Sequence, residues 1–126
     1  MNSVNNLTVF NNNQFGEVRT VSIDGNPWFV AADVCRALDL SDTGKAVGRL
    51  DEDESTRIEI DHPQSQGKKL EVIAVNEYGL YSLILGSRKP EAKAFKRWIT
   101  HDVIPSGSLK NVHARNVKSI IFVQRG

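Results

Sequence analysis

The 126-residue sequence has a single cysteine, Cys35, so no disulfide can form within the chain. That excludes a bridge-stapled secreted scaffold and makes a reducing, cytoplasmic setting the expectation. No apolar run approaches the roughly 20 residues that cross a bilayer. The opening MNSVNNLTVFNNN has neither the basic nor the apolar region of a secretion signal. Without such a signal, the glycosylation pattern at Asn6-Leu7-Thr8 is read as a chance match. His62, His101 and His113 are scattered and lack zinc-site spacing. No Gly-x-Gly-x-x-Gly occurs. A phosphate-binding loop around Gly44-Lys45 would need Gly where Asp39 stands and Ser or Thr where Ala46 stands. There is no nucleophile elbow either. The expectation is a protein that is not an enzyme and needs neither cofactor nor metal.

What is present is an ordinary soluble composition, 40% apolar and 25% charged, in a chain long enough to bury one core. The net charge of +1 hides an asymmetry. Residues 1–85 carry seven Lys/Arg against thirteen Asp/Glu, whereas residues 86–126 carry nine against two. A concentration of one sign in this way hints at an anionic partner.

Along the chain, Leu7–Phe10 reads as a short strand followed by a polar turn at Asn11–Gln14. Glu17–Ile23 alternates and ends at Asp24-Gly25, a strong hairpin signal because Gly accepts positive φ cheaply. The return strand is expected over Asn26–Val30, with Pro27 near its start or at an edge. Residues 31–40 place Val34, Ala37 and Leu38 on one helical stripe. Ser41 or Asp42 can cap a further short helix reaching Leu50, and Asp51–Glu54 reads as a solvated acidic loop. Arg57–Ile60 and Leu70–Val75 predict a second hairpin. Asn76 then caps a helix over Glu77–Leu85, with Gly86 as its stop. Its apolar residues cover more than half the circumference, which predicts a central, almost wholly buried helix. The small residues Gly79 and Ser82 predict close backbone packing. The expected fold is therefore α+β: an antiparallel sheet of two hairpins with three to four helices packed on it.

The segment after Gly86 answers the charge question. Pro90 and Glu91 suit a helix start, and Pro105 ends the helical stretch. Helical spacing puts Ala92, Phe95, Trp98, Ile99 and Val103 on one side, with Asp102 near it. Lys93, Lys96, Arg97, Thr100 and His101 fall on the other side, and Arg88 and Lys89 extend that patch. A merely solvated face is the plain alternative. It would more often mix the signs, yet here Lys93 and Arg97 stand four apart as a like-charge pair. These seven residues are the candidate nucleic-acid contacts.

Two blocks, DGNPWFVAADVCRAL (24–38) and VNEYGLYSLILGSRKPEAKAFKRWITHDVIP (75–105), resemble the amino-terminal domain of the BRO family, found in phage and prophage antirepressors and baculovirus repeated-reading-frame proteins. The resemblance runs from about residue 8 to residue 105. It implies a DNA-binding module of a phage-type transcriptional regulator, expected in the cytoplasm of a bacterial host. The alternative it implies is an interaction module that captures a repressor protein without touching DNA. Residues 1–105 are then one domain, and 106–126 a divergent tail without the second domain many relatives carry. The apolar run Ile120–Val123 is expected to add a strand to this domain or to a second copy in a homodimer.

Overall fold

The computed structural model describes residues 2–3, 7–62, 64 and 67–104. The strand expected at Ile120–Val123, like all of 106–126, lies outside these residues. In chain order the elements are β1 (Asn2–Ser3), β2 (Thr8–Asn12), β3 (Gly16–Ile23), β4 (Asn26–Val30), α1 (Ala31–Ala37), α2 (Thr43–Val47), a 3-10 turn (Glu52–Glu54), β5 (Ser55–Asp61), β6 (Lys69–Val75), α3 (Glu77–Gly86) and α4 (Ala92–Trp98). A π-helical turn, Ile99–Val103, continues α4.

The sheet order is β1-β5-β6-β4-β3-β2. Strands β2 to β6 are antiparallel, and β1 adds a two-residue parallel pairing on β5. Local chemistry sets the turns. Asp24 (φ 53) and Gly25 (φ 80) are both left-handed, the conformation a two-residue hairpin of matching twist requires. Between β2 and β3, Asn12 Oδ1 accepts from the backbone N–H groups of Gln14 (2.7 Å) and Phe15 (3.1 Å). The β3–β4 and β5–β6 hairpins join through a short ladder, Phe29 against Val75 and Val30 against Ala74.

The helices cover one face of this sheet. Val18, Phe29 and Val75 meet Val34, Leu38, Leu80, Phe95, Ile99 and Val103 in the main core. On the opposite face Val21, Ile58, Ile60 and Ala74 form a second cluster, against which Trp28 packs. Helix α1 stops at Ala37, three residues short of its expected end. Asp39 takes φ 60, while the N–H groups of Leu40 and Asp39 turn back to the carbonyls of Cys35 (2.8 Å) and Arg36 (3.2 Å). These two bonds close the helix.

Helix α3 is central, touching α1, α2, α4, β4 and β6, and Asn76 caps it by accepting from the Gly79 N–H at 2.9 Å. It is not almost wholly buried as its composition predicted. Leu80, Leu83, Ile84 and Gly79 are buried, but Tyr78 and Leu85 are 73% and 86% exposed. Gly86 is its last helical residue, and the extended Ser87 makes the stop. Gly79 does allow close backbone packing: a Cβ there would lie 2.8 Å from the Glu54 carbonyl oxygen. Ser82 is exposed and serves no such contact.

Candidate nucleic-acid interface

The link from α3 into α4 is fastened to the end of α1. Ser87 Oγ donates to the Leu38 carbonyl at 3.0 Å, and Lys89 Nζ donates to the Ala37 carbonyl at 3.3 Å. Both bonds satisfy carbonyls that a helix C-terminus leaves unpaired, and a cation suits the negative end of the helix dipole. A turn follows, closed by Ala92 N–H to Lys89 O at 3.0 Å, so Pro90 precedes α4 rather than occupying its first position.

Apolar packing fixes the rotation of α4. Ala92, Phe95, Ile99 and Val103 are buried, and Trp98 is half-buried. The Phe95 ring meets Phe15 edge-on at 5.2 Å, and Trp98 lies near parallel to Phe15 at 6.1 Å. Phe15 thus clamps α4 to the β2–β3 turn. That anchoring aromatic was not singled out in the sequence, where a lone Phe after a polar turn gives little signal. Within the π-helical turn the Thr100 hydroxyl donates to the carbonyls of Lys96 (2.9 Å) and Arg97 (3.2 Å). Side-chain bonding of this kind competes with the regular ladder and accompanies the widened turn.

The opposite face carries the expected cations. Lys93, Lys96 and Arg97 are exposed, and with Thr100 and His101 they line one open trough of about 520 Å³ floored by Pro90 and Ala94. No acid lines it. Asp102 is exposed. The structure therefore brings together five of the seven predicted residues. Arg88 is exposed at the approach to α4 but outside the trough, while Lys89 is half-buried against α1. Thr100 already gives its proton to the helix backbone, which leaves its oxygen as an acceptor and makes it a poor partner for a phosphate. The ion pairs of the described residues engage Arg19, Arg36, Arg57 and Lys69; none uses a cation of residues 88–97.

Among known families, the profile of the BRO family, N-terminal domain, matches residues 17–105. The chain belongs to the BRO family. The matched range takes in β3 through the whole of α4 and its π-helical turn. An uncharacterized protein of Haemophilus influenzae is 33% identical over 81 residues, which are 64% of this chain and 39% of that protein. The chain thus spans well under half the length of that relative. No solved structure matches the present chain.

The BRO domain contains one ionic centre that the sequence did not reveal. Asp33, on the first turn of α1, is buried. It accepts from the Arg19 backbone N–H (2.9 Å), from Arg19 Nε (2.8 Å) and from Arg19 and Arg36 guanidinium nitrogens (3.0 and 3.2 Å). Burial pushes the Asp33 carboxyl up, but the Arg19 and Arg36 hydrogen bonds outweigh it and hold the group below its ordinary value. Its own hydrogen bond to Asp33 raises Arg19. Arg36 also donates to the Glu17 carbonyl. These contacts tie α1 to β3, away from the trough, and they are structural. The i,i+3 spacing of Asp33 and Arg36 was the available signal, but nothing in the sequence marks Arg19 as the third member. Among the described residues no group of His, Cys, Asp and Glu could hold a metal ion, and no helix is long and apolar enough to cross a membrane.

Proposed function

We propose that this BRO-family domain is the DNA-binding module of a phage-type antirepressor regulator, non-catalytic and acting in the bacterial cytoplasm. The observation that carries this reading is the trough of α4, where Lys93, Lys96 and Arg97 converge without an intervening carboxylate. Arg88 joins them as a fourth exposed cation. Such a face attracts the phosphate backbone, and each neutralised phosphate releases counterions. Lys89 contributes mainly by holding the α3–α4 link to α1. His101 borders the trough and offers ring nitrogens as further donors or acceptors. Phosphate contacts position a protein on a duplex without reading its sequence, so the four cations account for affinity and not for site choice.

Fluorescence anisotropy with labelled duplex and single-stranded DNA, titrated across salt concentrations, tests the proposal. Four phosphate contacts give log K against log[salt] a slope of roughly −3 to −4 on duplex DNA, with non-specific dissociation constants of about 10⁻⁴–10⁻⁶ M at physiological salt. Absence of binding at low salt, with a purified repressor bound instead, would assign the strip to an acidic protein surface and end the proposal.

A further inference from the structure

A second concavity of about 390 Å³ shares none of the described residues with the trough. Its walls are aromatic: Trp28 with Pro27 on β4, and Tyr78 and Tyr81 on α3. Asn26, Asn76 and Glu77 complete the rim, and among the described residues no cation lines it. Tyr78 leaves a large ring 73% exposed here, beside a half-buried indole. Glu77 is oriented within the recess, because its Oε2 accepts from the Tyr81 hydroxyl at 3.1 Å. Burial, reinforced by the Glu77 charge, pushes the Tyr81 hydroxyl up from its ordinary value, so it remains a donor to that carboxylate.

Neighbouring segments add negative charge. The Asn76 amide donates to the Asp53 carbonyl at 3.0 Å, which draws the acidic 3-10 turn alongside. Asp24 stands exposed at the hairpin tip, two residues before Asn26. The β4–β6 ladder begins at Phe29, so Asn26–Trp28 has no strand partner on that side and faces the start of α3 across the recess.

We infer that this recess receives an arginine side chain carried by a segment of a partner protein. A guanidinium plane can stack on the open Tyr78 or Trp28 ring while its N–H fork meets the Glu77 carboxylate. Lysine offers a point charge without a stacking plane, so it fits the recess less well. The free length of β4 favours a polypeptide over a small amine. DNA, carrying the same sign as Glu77, is repelled, so the recess is separate from the α4 surface and its occupancy stands whether or not that surface binds DNA.

The test is a two-dimensional amide NMR titration of the whole chain with a blocked Gly-Arg-Gly peptide. The lysine and citrulline versions of the peptide, and spermidine, are run in parallel. The arginine peptide is expected to shift the Trp28 indole N–H and the amides of residues 26–28 and 76–81, saturably. The lysine peptide should bind about fivefold more weakly, and citrulline not at all. Glu77→Gln, which keeps an acceptor for Tyr81, and Tyr78→Ala, at an exposed position, should each weaken binding about five- to tenfold with an unchanged melting temperature. Shifts elsewhere, equal binding of the citrulline peptide or of spermidine, or indifference to both substitutions would overturn the inference.

Discussion

Replacing Asp33 with Asn removes the one carboxylate shared by two arginines in the buried link between α1 and β3. Its side chain is 3% exposed, against 22% for Arg19 and 53% for Arg36. Removing one partner of a fully sealed ion pair costs about 3–5 kcal/mol, because the remaining charge is stranded. Arg19 keeps a route to water and Arg36 is half outside, so the loss belongs at the low end, about 3 kcal/mol. A domain of this kind holds about 5–15 kcal/mol in total, so the variant should fold but be visibly weakened. With a urea m-value of about 1–3 kcal/mol/M, the midpoint falls by about 1–3 M at unchanged m. The pH dependence gives an independent check. The Asp33 carboxyl sits below its ordinary value in the folded state, so its contribution is complete above the unfolded value of about 4 and drains away as pH falls through the lower folded value. The gap between wild type and variant should therefore close in acid. A loss below about 1 kcal/mol, or a gap that persists unchanged into acid, would refute the assignment.

Three other substitutions probe the packing of α3 and α4. Gly79→Ala gains about 1 kcal/mol of helix propensity, but its Cβ would meet the Glu54 carbonyl at 2.8 Å. That carbonyl is held by the Asn76 N–H at 3.1 Å, so overpacking, at about 1–3 kcal/mol, should win, and thermal denaturation should show a net loss of up to about 2 kcal/mol. A stabilised variant would mean the 3-10 turn yields freely. Phe95→Ala should cost about 3–5 kcal/mol, and Trp98→Ala less, since the first ring is buried and the second half-buried. Chemical denaturation of both variants fixes the order, and the reverse order would mean α4 is rotated from the orientation described.

Much of the fold was legible because its signals are local. Asp24-Gly25 demands two positive-φ residues in sequence, which few other structures use, and β4 begins and ends where that turn implied. Asn76 marked the start of α3 through its side-chain acceptor. The breadth of the apolar arc on α3 misled for a physical reason: Tyr78 and Leu85 count as apolar by composition, but the sheet and helices cover only one side of α3, leaving both in water. Pro90 was expected at the first position of α4 but lies two residues before it, because the Ser87 and Lys89 bonds to α1, which use residues about fifty positions away, delay the helix start. The same long-range contact explains why Lys89 looked like a surface cation. For the candidate site, the alternation of Lys93, Lys96 and Arg97 with Phe95, Ile99 and Val103 was enough to define two faces. The Arg19–Asp33–Arg36 centre was not legible, since strand pairing rather than sequence spacing brings Arg19 to Asp33.

The most direct measurement compares duplex-DNA affinity at low salt for the wild type, for Lys93→Glu with Arg97→Glu, and for Lys68→Glu with Lys69→Glu. The two double variants change net charge equally, but only the first alters the trough. Loss of binding and of most of the salt dependence in the α4 variant, with an unchanged melting curve and near-normal binding by the hairpin variant, is the expected result. Equal losses in both, or undiminished binding by the α4 variant, would contradict the assignment of DNA contact to this helix.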